Sequence, residues 1–158
     1  MPAIFTEQWY DALKNLINGS KDVEKNAPRG RYDVLAEIRG DSRSLYLPPD
    51  DDRFFVILFE EGKCRSYQQV SAQPPRKGFN FIFELPASVF EGIAAGQIDL
   101  IDAGLKGAIK VTGDMRILIR HAELVNALYR IYAKEVETLW PKGKPAAIAS
   151  RLGASGGV

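Results

Sequence analysis

Residues 79–115 read FNFIFELPASVFEGIAAGQIDLIDAGLKGAIKVTGDM. The fold is decided here, because the hydrophobic period changes in a fixed order along the stretch. Phe79, Phe81, Phe83 and Leu85 share one face against Asn80, Ile82 and Glu84, the two-residue repeat of a strand. Pro86 suits the first position of a helix, and Val89, Phe90, Ile93 and Ala94 line that helix until it fades near Gly96. A short helix is predicted around Leu100 to Leu105 and a strand over Ala108 to Thr112. Gly113-Asp114 then turns into a long helix. Nearly every inward position is apolar, and no reactive constellation interrupts the run.

Upstream, Thr6 reads as an N-cap with Glu7 in the first turn, and Phe5 and Tyr10 are placed for a hydrophobic staple. Trp9, Leu13 and Leu16 form an apolar stripe on this first helix, which Gly19-Ser20 ends. The polar run Lys21 to Arg31 is expected to be a loop. Val34, Ala36 and Ile38 alternate through the strand Tyr32 to Arg39. The continuous apolar strand Arg53 to Glu60 turns at Glu61-Gly62 into the returning strand Lys63 to Val70. Downstream, Met115, Leu118, Ala122, Val125, Tyr129, Tyr132, Val136 and Leu139 step by three and four, with Ile117, Leu124, Leu128 and Ile131 in a second row. One helix is therefore expected from Met115 to Trp140, needing cover on more than one side. The order of elements gives an α+β class, with helices gathered on one face of a five-stranded, mostly antiparallel sheet and a long C-terminal helix. One domain over residues 1–140 is expected, followed by a flexible tail over 141–158 rich in Gly, Pro, Ala and Ser.

Composition narrows the function. The chain has 158 residues, 46% hydrophobic and 26% charged, enough for one compact core without disulfides. With 21 basic against 20 acidic residues the net charge is +1, which gives no electrostatic case for a nucleic-acid partner. The single Cys64 cannot form an intrachain disulfide and fits a reducing compartment. No apolar run reaches the roughly 20 residues needed to span a bilayer. The N-terminus lacks a signal-peptide pattern and the C-terminus a peroxisomal address, so a cytoplasmic location is the expectation.

Catalytic chemistry finds little support. His121 is the only histidine, so a multi-histidine metal site cannot form, and it lies on the apolar row Ile117-His121-Leu124-Leu128, as a buried, satisfied histidine would. Asp114 reads as an N-cap, and Asp99 and Asp102 as the cap and polar face of a short helix. Asp50, Asp51 and Asp52 lack calcium-loop spacing and a closing glutamate. No nucleophile elbow or phosphate-cradling glycine loop is present. No catalytic residue, metal or cofactor is expected. The surplus is aromatic instead: Phe54, Phe55, Phe59, Phe79, Phe81, Phe83 and Phe90 either fill the core or wall a pocket for a hydrophobic ligand.

Three segments carry a family resemblance: Phe5-Thr6-Glu7-Gln8-Trp9, then Ile93-Ala94-Ala95-Gly96-Gln97-Ile98-Asp99, then Gly107 to Met115, which reads G-x-h-x-h-x-G-D-h with h apolar. In these the chain resembles the sterol carrier protein 2 family, SCP2-like sterol- and lipid-binding domains, over roughly Phe5 to Arg120. The resemblance implies a five-stranded sheet with helices on one face and a hydrophobic tunnel between them, which binds sterols, fatty acyl chains or other lipids without covalent chemistry. On that footing the expected lining is Trp9 and Leu13 from helix one, Phe55, Ile57, Phe81 and Phe83 from the strands, and Phe90, Ile93, Leu105 and Met115 from the helices. Family domains end soon after the Gly-Asp-hydrophobic helix begins, whereas here it is expected to continue. The extension, from this chain or a partner's, is expected to cover sheet or tunnel surface, and a homodimer is one way to do so. Two further readings stand beside the carrier. One is an accessory subunit that docks an enzyme of hydrophobic-substrate metabolism through the C-terminal helix; the other is an enzyme using Asp114 or His121 as a lone acid or base. Transient membrane contact through helix one is weakened by its mixed charge.

Overall fold

The computed structural model describes residues 1–145. Helix α1 spans Glu7–Gly19, and the Thr6 side chain accepts from Trp9 N. Ser20 ends α1 and at once caps a second helix, α2 (Lys21–Asn26), by accepting from Val23 N. The expectation of a loop from Lys21 to Arg31 is therefore corrected. The cap and the burial of Val23 outweigh the polarity of the rest of that turn. Strands β1 (Arg31–Arg39), β2 (Arg53–Glu60) and β3 (Lys63–Val70) follow, with β2 and β3 joined at Glu61-Gly62, both at positive φ. After β4 (Phe81–Pro86) come α3 (Ala87–Ala94), α4 (Leu100–Leu105), β5 (Lys110–Gly113), α5 (Met115–Arg120) and α6 (Ala122–Arg130).

The five strands lie in the order β3-β2-β1-β4-β5. β1 pairs in parallel with β4, and the other three pairings are antiparallel. The register puts Val34, Ile57 and Phe81 in one row, and Ala36, Phe55 and Phe83 in the next. These face the helices. The opposite parity, Leu35, Phe54 and Ile82, points to the outer face and is buried as well. On β2 the outer face is buried at Phe54 and half-buried at Val56 and Leu58. The segment between β3 and β4 reaches this face at Glu37. Gln73 donates to Glu37 at 3.0 Å and the Arg76 guanidinium pairs with the same carboxylate. Arg39 joins Glu37, Asp52 and Glu84 and lies over the Phe54 ring.

The C-terminal helix is present but not straight. It breaks at His121 (φ −109°, ψ 40°), resumes as α6, and ends in a π-helical turn over Ile131–Glu135. No Gly or Pro causes the break. Instead α6 lies against α2, where Arg130 pairs with Asp22 at 3.4 Å and His121 Nδ1 lies 3.1 Å from Asn26 O. Beyond Val136 the backbone is extended and returns to the N-terminus: Ile4 N donates to Leu139 O (3.1 Å) and Leu139 N to Pro2 O (2.8 Å). The expected helix to Trp140 therefore stops at Glu135, because the last turn trades helical bonds for this pairing and buries Val136. The start of the expected tail is tied down, since Tyr46 Oη donates to Gly143 O and accepts from Lys142 N. Residues 146–158 lie outside the described residues.

Among the described residues, no helix is long and apolar enough to cross a membrane.

Candidate functional site

Between the inner face of the sheet and α3 to α6 lies a groove of about 500 Å³, within the range of small-molecule sites. Its floor is built by alternation along the strands: Val34 and Ala36 of β1, Ile57 and Phe59 of β2, and Phe81, Phe83 and Leu85 of β4. Its roof comes from the helices. Phe90 and Ile93 descend from α3, and Leu100 and Ile101 from α4. Ile117 and Leu118 belong to α5, and Leu124 and Leu128 to α6. Among the described residues that line it, only Tyr32, Tyr67, Tyr132 and His121 carry a side-chain oxygen or nitrogen, and none is an Asp, Glu, Lys or Arg.

The polar side chains have definite places. His121 Nδ1 lies within hydrogen-bond distance of Asn26 O, so a backbone carbonyl holds its ring at the helix break. Tyr67 Oη and Tyr132 Oη are 3.1 Å apart. Burial pushes the Tyr132 phenol up to about 12 and raises Tyr67 well above its usual value, so both are neutral at physiological pH. Asp114 is engaged elsewhere: it caps α5 through Arg116 N and forks onto the Arg116 side chain, which lowers its carboxyl. Asp99 caps α4 by accepting from Asp102 N. Burial raises the Cys64 thiol to about 11, leaving it protonated.

At the β5 side the groove ends in exposed apolar side chains. Leu105 is 83% exposed, Ile119 72% and Met115 46%, and all three line it. Soluble proteins leave few such clusters uncovered without a binding role.

Ile57, Phe81, Phe83, Phe90, Ile93, Leu105 and Met115 meet around this groove. Trp9 and Leu13 do not line it, which corrects their expected placement. Both are fully buried, and the Trp9 indole is turned to donate to Thr138 Oγ1 at 2.8 Å, with its ring edge-on to Phe90. A ring of that size with one polar atom is used where its N–H finds a partner, and here the partner is the returning C-terminal segment. Phe55 faces the helices but lines a second cleft, of about 570 Å³, beside Tyr10 and Arg53. Residue-level reading missed the polar lining. Tyr32, Tyr67 and Tyr132 have no motif, and their only signal was the inward parity of their strand or helix rows.

No family model and no curated protein matches the chain. Solved structures do match. One is a crystal structure of sterol carrier protein 2, at TM-score 0.69 and 19% identity, over 83% of this chain and 98% of that one. Another is the solution structure of a conserved hypothetical protein of Thermus thermophilus, described as a candidate sterol carrier protein. It superposes at TM-score 0.68 and 20% identity, over 89% of this chain and 94% of its own. At these identities the likeness is one of fold.

Proposed function

The chain has the fold of sterol carrier protein 2, and from that premise we propose that it binds a hydrophobic small molecule in the groove and transfers or presents it without chemical change. The observation that carries the proposal is the lining: about 500 Å³ with, among the described residues, no charged side chain and four polar ones. Removing apolar ligand surface from water into such a site gains roughly 25 cal/mol per Å². A charged reaction intermediate would find no counter-charge there. Engagement of Asp114 as a cap and of His121 by a backbone carbonyl supports a non-catalytic role for both. The exposed rim of Leu105, Met115 and Ile119 is where a lipid would enter.

Native mass spectrometry of the purified protein, followed by organic extraction, tests this directly. A co-purified sterol or acyl lipid is expected. Phe83→Arg places an unpaired charge on the groove floor and is expected to abolish uptake of a neutral fluorescent probe such as N-phenyl-1-naphthylamine. Undiminished uptake by the folded variant would refute the assignment.

A further inference from the structure

The groove runs across all five strands, from Val111 on β5 to Tyr67 on β3. Four inter-strand spacings make that roughly 19 Å. One end is the exposed apolar rim; the other is closed by tyrosines. Tyr10 of α1 stacks on Tyr67 with ring centroids 5.5 Å apart, and Tyr132 meets Tyr67 hydroxyl to hydroxyl. We propose that the Tyr67–Tyr132 pair, backed by Tyr10, is an anchor for one uncharged oxygen of the ligand. The groove would then take amphiphiles ending in a hydroxyl or carbonyl in preference to those ending in a carboxylate or phosphate. The inference rests on the carrier reading and specifies its ligand.

The donor count argues for it. Two phenols hold two protons, and their mutual bond uses one. The second proton, and lone pairs on both oxygens, have no other partner among the described residues. The Tyr10 hydroxyl, buried behind Tyr67, has no partner at all among them. Buried polar groups are nearly always paired, so the two groove phenols, sharing one hydrogen bond, leave capacity for an incoming oxygen. Tyr132 stands in the π-helical turn Ile131–Glu135, a rare distortion that occurs frequently at functional sites. Charge selects the kind of oxygen. Among the described residues no Lys or Arg lines the groove, and the cation near Tyr10, Arg53, lies on the second cleft and is forked onto Asp51 at 3.0 and 3.3 Å. A carboxylate at the closed end would be buried without a counter-ion. Burial also keeps the phenols protonated and able to donate.

The test is displacement of bound N-phenyl-1-naphthylamine by 1-decanol and by decanoate at pH 8, in the natural protein and in the double variant Tyr67→Phe, Tyr132→Phe. Both substitutions keep the rings, and thermal unfolding reports that the variant is folded. Decanol is expected to displace the probe at roughly tenfold lower concentration than decanoate. The double variant is expected to weaken decanol about tenfold relative to decanoate, the effect of one lost hydrogen bond, with each displacement corrected for the variant's own probe affinity. Probe binding with an unchanged decanol preference in the variant, or with no preference in the natural protein, would overturn the anchor and leave the carrier reading standing. Failure of the natural protein to bind the probe would overturn both.

Discussion

Glu37 is fully buried on the outer face of the sheet, where a carboxylate would be very costly alone. Three side chains make it tolerable: Arg39 at 3.2 Å, Gln73 at 3.0 Å and Arg76. Arg39 also ties in Asp52 and Glu84, so removing it strands more than one charge. Arg39→Ala is expected to cost about 3 kcal/mol of stability, read from urea denaturation; an unchanged midpoint would mean that solvent reaches Glu37. Gly113 matters for a different reason. Its φ is +139°, and a methyl group there would lie 2.5 Å from Asn80 O and from the Phe81 ring. The Gly of the Gly-Asp turn is therefore a packing requirement at the strand edge that carries Phe81 into the groove. Gly113→Ala is expected to destabilise by about 1–3 kcal/mol, checked by thermal unfolding.

Among the elements, α2 has the widest consequences for its size. Six residues long, it starts on the same Ser20 that ends α1, and it supplies Asp22 to Arg130 and the Asn26 carbonyl to His121. By holding both ends of α6 it sets the angle at which Leu124 and Leu128 roof the groove. Ser20→Ala removes the cap and is expected to cost about 1 kcal/mol. Native-state hydrogen exchange should show the amides of α2 and α6 losing protection together. Loss confined to α2 would mean that α6 is held by its other contacts.

At the scale of the molecule, burial of a groove phenol and a core thiol links stability to pH. The Tyr132 phenol rises from 10.0 to about 12, and the Cys64 thiol from 9.0 to about 11. These groups ionise more readily in the unfolded chain. Their contribution to stability is complete below pH 9 and is lost as pH rises through 9 to 12. The loss is roughly 1.4 kcal/mol per pH unit for each group within its own window. Tyr132→Phe is expected to flatten the upper part of that decline, monitored by chemical denaturation between pH 8 and 12; an unaltered slope would mean that the phenol is solvated in the folded state.

The sequence alone determined the class, the order of elements apart from α2 and the breaks in the C-terminal helix, and most of the groove wall. Strands and helices announce themselves through local periods of two and 3.6 residues. Phe81, Phe83, Phe90 and Ile93 follow from parity on elements whose inward face is unambiguous. Phe55 and Ile57 lie in a strand apolar on both parities, and only the pairing of β1 with β2 and β4 fixed their common face. Which inward residues fill the core and which line the groove was decided by tertiary contacts. Trp9 went to Thr138 and Tyr132 to Tyr67, partners 129 and 65 residues distant in the chain that no local pattern can specify. The break at His121 belongs to the same class. Helical propensity carries the stretch from Met115 without interruption, and only docking on α2 and the return of Leu139 to the N-terminus bend it, because packing energy outweighs a lost turn of helix.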